Sequence, residues 1–228
     1  NDIKNGGEGA PLSPIYHQAL MRALYKEKKI QIPTSVLNIG GISNITQISE
    51  NFKISSQDIG PGNCLIDKWI RKNSDKFFDE NGNCAKNGKV DKFIFDQYLE
   101  NYYYSKINSK KSLDINDFDI SFAKGLSLEN GAATVTEITA ELLSKKLGNS
   151  DIYVCGGGRK NTFLIDLLKK KIKNKIYMFD DFSIDGDYIE SQAFAFLAIR
   201  SFLNLPISFP TTTNCKVPSV GGIISKSY

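Results

Sequence analysis

The order of strand and helix patterns constrains this chain more than any other feature. Three runs rich in β-branched residues, at 35–39, 42–49 and 52–57, follow one another with only short breaks, and the first break is Gly40-Gly41. A glycine pair readily supplies the positive φ that a tight hairpin turn requires, so the runs are expected to pair as antiparallel strands. After Gly60-Pro61-Gly62, read as a breaker, the period changes. Asn63 is an expected N-cap, and Leu65, Ile66, Trp69 and Ile70 form an apolar stripe at helical spacing. A polar, loop-rich stretch over about 74–124 holds one aromatic helix pattern at 90–103 and is read as an insertion. Beyond it helices at 128–147, 162–171 and 188–203 alternate with strands at 152–155 and 176–179.

Antiparallel strands followed by alternating helices and strands is the order of an α/β, ribonuclease-H-like lobe, in which a mixed sheet carries helices on both faces. The expected division is a connecting segment at 1–34 and the lobe at 35–228, with the insertion inside it. A chain of 228 residues can bury one sizeable core. Its 29 basic and 25 acidic side chains are spread thinly, apart from Lys169–Lys171 and the 26–29 stretch. This describes a solvated surface and not a nucleic-acid stripe. Cys64, Cys84, Cys155 and Cys215 show neither CxxC pairing nor histidine partners, since His17 is the single histidine, and are read as reduced thiols in the cytoplasm. No apolar run of about 18 residues is present, so no membrane span is expected. The chain starts at Asn1, with a glycine-rich segment almost at once, and is expected to begin inside a larger design.

Three segments carry candidate chemistry. At the 40–41 hairpin tip, glycines let backbone N–H groups approach phosphate oxygens, with Asn38 and Asn44 adding polar side chains; an ordinary Gly-Gly turn explains the same residues. In Asp58-Ile59-Gly60-Pro61-Gly62-Asn63, a carboxylate expected at a strand end faces the usual ligand crevice of an α/β sheet, where it can act as a general base. It is equally readable as a turn or cap residue. In Cys155-Gly156-Gly157-Gly158-Arg159-Lys160-Asn161, a strand, a glycine triplet and a helix start bring a flat or anionic ligand against free N–H groups. The spacing is neither GxGxxG nor a Walker loop, and a structural tight turn remains the alternative.

Weaker candidates have simpler readings. Glu190 reads as a first-turn acid complementing a helix dipole. Thr134, Thr136 and Thr139 read as close packing along a helix. His17 reads as a structural hydrogen-bonding group, and Tyr102, Tyr103 and Tyr104 as packing of the insertion.

Together the segments resemble one family, the anhydro-N-acetylmuramic acid kinases, two-lobed sugar kinases of the actin/hexokinase-like class. The resemblance rests on Gly6-Gly7-Glu8-Gly9-Ala10-Pro11-Leu12 with Pro14 and His17, on 38–44, and on 58–63 with Asp67 and Trp69. It continues through 133–136 with Thr139-Ala140, 155–158 with Asn161, and 190–195. It covers nearly the whole chain and matches the second lobe.

The resemblance implies use of ATP and Mg2+ to phosphorylate O6 of 1,6-anhydro-N-acetylmuramic acid while water opens the anhydro bridge. It implies Asp58 as the base, a phosphate loop at Asn38, Gly40, Gly41 and Asn44, and a nucleoside-side loop at Gly156, Gly157, Gly158 and Asn161. Asp2, Gly6, Gly7, Gly60, Gly62, Asn63 and Glu190 are carried over as substrate-side residues; no metal ligand is assigned. A homodimer is implied by the family alone. Two departures stand out: no Ser-x-Asp-Gly-type first phosphate hairpin precedes Asn1, and Lys111-Ser112-Leu113-Asp114-Ile115 carries isoleucine where the family's Lys-Ser-x-x-Arg has arginine. An amino-terminal lobe is therefore expected as a partner. The alternative expectation is a sugar- or nucleotide-binding remnant without turnover.

Overall fold

The computed structural model describes residues 1–105, 107 and 112–223. Lys111 thus lies outside the described residues, as do the last five positions of the lobe expected at 35–228. Five strands, β1 (Thr34–Ile39), β2 (Ile42–Ile48), β3 (Ile54–Pro61), β4 (Asp151–Cys155) and β5 (Ile176–Met178), form one sheet in the order β3-β2-β1-β4-β5. β2 runs antiparallel to both β1 and β3, whereas β1, β4 and β5 are parallel. This is the ribonuclease-H-like arrangement expected from the element order.

The strands alternate sides, and each side of the sheet has its own helices. Leu37, Ile39, Ile45, Ile59, Ile152 and Val154 join Trp69 of α2 (Cys64–Asn73), Val135 and Ile138 of α5 (Leu128–Ser144), and Leu164 and Leu168 of α6 (Thr162–Lys171). Val36, Ile48, Tyr153 and Cys155 meet Met21 and Leu24 of α1 (Pro14–Lys26) and Ile189 at the start of α7 (Ile189–Phe202). Burying each large apolar side chain contributes about 1.5–3 kcal/mol. α1 falls in the segment read as a connector, and its buried face packs on the sheet across β2 and β3. Pro14 at its first position presets the helical φ and lacks only an N–H that would go unused there.

The insertion contains a short helix α3 (Asn83–Lys86) and α4 (Lys92–Tyr104), joined to the core through Phe95 and Tyr102. Tyr102 is buried, but Tyr104 is 87% exposed, so it does not pack the insertion as expected. The last α-helix, α8 (Pro210–Thr213), lies against β3.

Two local expectations are corrected. The hairpin glycines Gly40 and Gly41 do not adopt positive φ. Their carbonyls instead accept the N–H groups of Gly62, Asn63 and Cys64 at 2.8–3.1 Å, tying the tip to the start of α2. Nor does Gly60-Pro61 break β3, which runs on through Pro61. Register shifts between Ser43 and Asn44, where Ser43 pairs with Gly60 and Asn44 with Asp58. The extra residue is accommodated by a bulge that turns both Ile59 and Gly60 toward α5, where Leu143 lies close to Gly60.

Candidate active site

Strand pairing sets out a polar row. Asp58 stands opposite Asn44, Asn44 opposite Asn38, and Asn38 opposite Cys155, across four neighbouring strands. Partners in register share a face, and this face is the one covered by α1 and α7. Because β1 and β4 end at Ile39 and Cys155, the row sits at the carboxyl ends of the parallel strands, where α/β sheets open their ligand crevice.

A cavity of about 360 Å³ lies over the row, within the size range of small-molecule sites. Asn38, Asn44, Cys155, Gly156, Gly157, His17, Asp187 and Glu190 line it, with residues 9–13 forming another wall. Glu190 is in the first turn of α7, as its sequence position suggested. Asp58 opens into an adjoining cavity of about 220 Å³ that shares Ala10 and Pro11 with the first and also meets Glu8, Thr212 and Asn214.

Asp58 lies within β3, three residues from its end, and not at the strand terminus expected. Its Oδ2 accepts the Leu113 N–H at 2.9 Å. Burial raises its pKa; the Leu113 bond acts in the opposite direction, and nearby Glu8 raises it further. A more basic carboxylate beside a cavity is a competent proton acceptor.

The three glycines of the 156–158 turn have three separate reasons. Gly156 has φ +81°, and a Cβ there would lie 2.3 Å from Asn38 Oδ1. At Gly158 a Cβ would come within 2.2 Å of the Ile39 side chain, so this glycine lets the turn lie on β1. Gly157 alone has open space, its nearest neighbour being Asn63 Nδ2 at 3.9 Å. It borders both the first cavity and another of about 490 Å³ lined by Asn63, Asp67, Asp79, Asn81, Lys160 and Asn161. In that third space burial pushes Asp67 up to about 6, although Arg71 lies 3.5 Å away. Asn161 is the N-cap of α6, its Oδ1 accepting the Leu164 N–H at 3.0 Å.

The structure brings Asn38, Asn44, Gly156, Gly157 and Glu190 together, with Asp58 next door. It does not bring Asp2, Gly6 or Gly7 to either cavity. Asp2 accepts the Gly9 N–H and the Thr213 hydroxyl, both at 2.7 Å, clamping the first residues to α8. Gly62 lies behind the hairpin tip, where a Cβ would clash with the Gly40 carbonyl, and Gly60 faces α5. Asn63 starts α2 without a side-chain capping bond. Ile115 rests on Gly41, where a Cβ would approach it to 3.2 Å. Its carbonyl accepts from Lys68 Nζ at 2.5 Å.

Sequence reasoning missed the wall built by Arg159. This guanidinium, 7% exposed, is held by Asp180 at 3.0 Å and Asp187 at 2.8 Å, with Asp185 at 3.7 Å. Its packing excludes any side chain at Gly186. The signal was a run of aspartates at 180, 181, 185 and 187 following a strand, opposite one arginine in the glycine turn.

The sequence profile of Anhydro-N-acetylmuramic acid kinase matches residues 1–227. The chain belongs to that family. Among its relatives, the anhydro-N-acetylmuramic acid kinase of Pelagibacter ubique is 47% identical over 241 residues, covering 100% of this chain and 63% of the relative. That of Zymomonas mobilis is 41% identical, covering 98% of this chain and 61% of the relative. The chain therefore spans a little over three-fifths of the length of these anhydro-N-acetylmuramic acid kinases. A looser likeness, with TM-score 0.43 and 15% identity over 72% of this chain and 59% of the other, is to the activator of 2-hydroxyisocaproyl-CoA dehydratase from Clostridium difficile with bound ADPNP. Among the described residues no helix is long and apolar enough to cross a membrane.

Proposed function

We propose that this chain is the second lobe of an anhydro-N-acetylmuramic acid kinase, transferring phosphate from ATP to O6 of 1,6-anhydro-N-acetylmuramic acid while water opens the anhydro bridge. The observation that carries the reading is the row in which Asp58, Asn44 and Asn38 lie side by side across three strands, bordered by an open glycine turn. Asp58 takes the proton of the attacking water. One of its oxygens is fixed by Leu113, and the other has no hydrogen-bond partner among the described residues. Asn38, Asn44 and Glu190 hold the sugar side of the cavity. The backbone at Gly157 is free to lie against phosphate or ribose, between the sugar cavity and the space lined by Asn63 and Asn161.

ATP supplies the phosphoryl group, and the cradle at Gly157 fits it, since that position is open where Gly156 and Gly158 are crowded. No group of three or more metal-ligating side chains occurs among the described residues. Mg2+ would come with the nucleotide, held by its phosphates and by at most one or two carboxylates, as is usual for this ion. The facing lobe of the longer family members completes the site, expels water on closure and works with this lobe in the cytoplasm; the whole protein forms a homodimer.

The test is phosphate transfer from ATP to 1,6-anhydro-N-acetylmuramic acid, by this chain alone and by this chain joined to a family amino-terminal lobe. Turnover in the joined protein, abolished by Asp58→Asn, is the expected result. Absence of turnover in a folded joined protein would leave a binding remnant, a reading favoured by the apolar contact of Ile115 with the hairpin tip.

A further inference from the structure

His17 is 1% exposed, yet it borders the cavity over the polar row. Its Nδ1 lies 2.9 Å from the Thr46 hydroxyl, a buried residue of β2 on the same face as Asn44, two positions along. That bond fixes the ring plane. Among the described residues Nε2 has no hydrogen-bond partner, and His17 is part of the cavity lining. A ring nitrogen without a protein partner on a cavity wall is open to a polar occupant.

We propose that His17 is a substrate-recognition residue: with Nδ1 anchored on Thr46, its Nε2 hydrogen-bonds an uncharged oxygen of the sugar held over Asn38 and Asn44. This inference rests on the sugar-kinase reading and places the sugar in the cavity roofed by residues 9–13 and α7. Desolvation lowers the pKa of His17 to about 4, so the ring is neutral at ordinary pH. A neutral imidazole offers one donor and one acceptor, and the Thr46 bond decides which of them is left for the ligand. A sugar hydroxyl satisfies either tautomer, whereas ether and acetamido oxygens, which only accept, need the tautomer that carries the proton on Nε2; a phosphate gains little from an uncharged ring. The preceding Tyr16 reinforces the setting, its hydroxyl bonding Gln192 of α7 at 2.5 Å and so tying the two helices that flank the cavity.

A single histidine in the chain makes the test direct. This chain, uniformly 15N-labelled and joined to an unlabelled family amino-terminal lobe, is titrated with 1,6-anhydro-N-acetylmuramic acid while calorimetry follows the heat of binding and the imidazole nitrogens are read by NMR. Binding heat with a displaced Nε2 resonance, and an unmoved Nδ1, is the expected result. Binding heat with neither nitrogen displaced overturns the role of His17 and leaves the kinase reading standing. Neither heat nor displacement, with ATP present or absent, overturns both. In variants, His17→Leu should weaken sugar binding about tenfold, the loss of one well-placed hydrogen bond. His17→Gln, whose amide can span the same two partners, should recover most of that loss. Equal weakening by both at unchanged melting temperature would count against the proposal; if either unfolds, the titration of the unaltered chain decides.

Discussion

Asn44 and Asp58 stand opposite each other across β2 and β3, and the bulge one step further on keeps Ile59 and Gly60 turned to the other face. Asp58 is thus the side chain that β3 alone contributes next to the polar row. Asp58→Asn keeps shape and volume but removes the proton acceptor. In the joined, active protein kcat should fall about 10²–10⁴-fold, the usual contribution of a general base, with the melting temperature little changed. Because burial raises the pKa of Asp58, the acid limb of the unaltered enzyme's pH profile should lie above the ordinary carboxylate value of 3.8, with activity rising as pH rises through it.

His17 provides a stability prediction independent of any ligand. Its pKa falls from 6.5 to about 4 on folding, so the unfolded chain binds the proton more tightly. The stabilisation is complete above pH 6.5 and is lost as pH falls toward 4. Over that interval unaltered protein should lose about 3 kcal/mol more than His17→Gln, by the linkage between pKa and stability. Asp187 and Glu190 share the cavity wall, so the comparison belongs at moderate salt, where their fields are damped. Parallel denaturant curves at pH 7, 5.5 and 4.5 check it; superimposable pH slopes would contradict it.

Removing the Arg159 charge should loosen the 180–187 wall. Asp187 is held down to about 2 and Asp180 is also lowered, each chiefly by its hydrogen bond to Arg159. Depressed carboxylates stabilise the fold above their unfolded pKa and stop doing so as pH falls through the folded one. Arg159→Met should therefore melt several degrees lower at pH 7, and the gap should shrink as pH drops from about 4 toward 2. Thermal melts across that range decide it. Arg159→Lys should restore little, since one ammonium cannot reach three carboxylates with fixed geometry.

Gly131 offers a sign reversal. Glycine to alanine inside a helix ordinarily stabilises by about 1 kcal/mol. At Gly131 in α5 a Cβ would lie 2.0 Å from the Trp69 ring. That indole is buried and its N–H donates to the Leu128 carbonyl at 2.8 Å, so it cannot swing away cheaply. Gly131→Ala should instead destabilise by about 1–3 kcal/mol in denaturant unfolding.

The pattern of Leu65, Ile66, Trp69 and Ile70 announced α2 because an amphipathic helix writes its buried face into its spacing. Strand order was legible for a related reason: short breaks force neighbours to pair, and helices between strands force parallel crossovers. The purposes of the glycines were not legible. Gly40 and Gly41 stand where they do because the start of α2 docks onto their carbonyls, a contact between segments that no local pattern records. The same holds for Arg159, whose carboxylate partners come from a loop more than twenty residues on. His17 read as structural, and its Thr46 bond agrees, but its place on a cavity wall depends on how α1 folds across β2.

The polar row also works as a ruler. Neighbouring strands lie about 4.8 Å apart, so Asp58 on β3 and Cys155 on β4, three intervals distant, are separated by about 14 Å. That length is set by backbone hydrogen bonds and not by side-chain rotamers, and it fixes how far the carboxylate stands from the glycine turn that follows Cys155. Lengthening either residue's side chain would change the reach locally while leaving the gauge untouched. A slip of β2 by one residue would do the opposite: Asn44 would turn to the α5 side, Ile45 would enter the cavity, and the spacing would survive with the wrong groups at its marks.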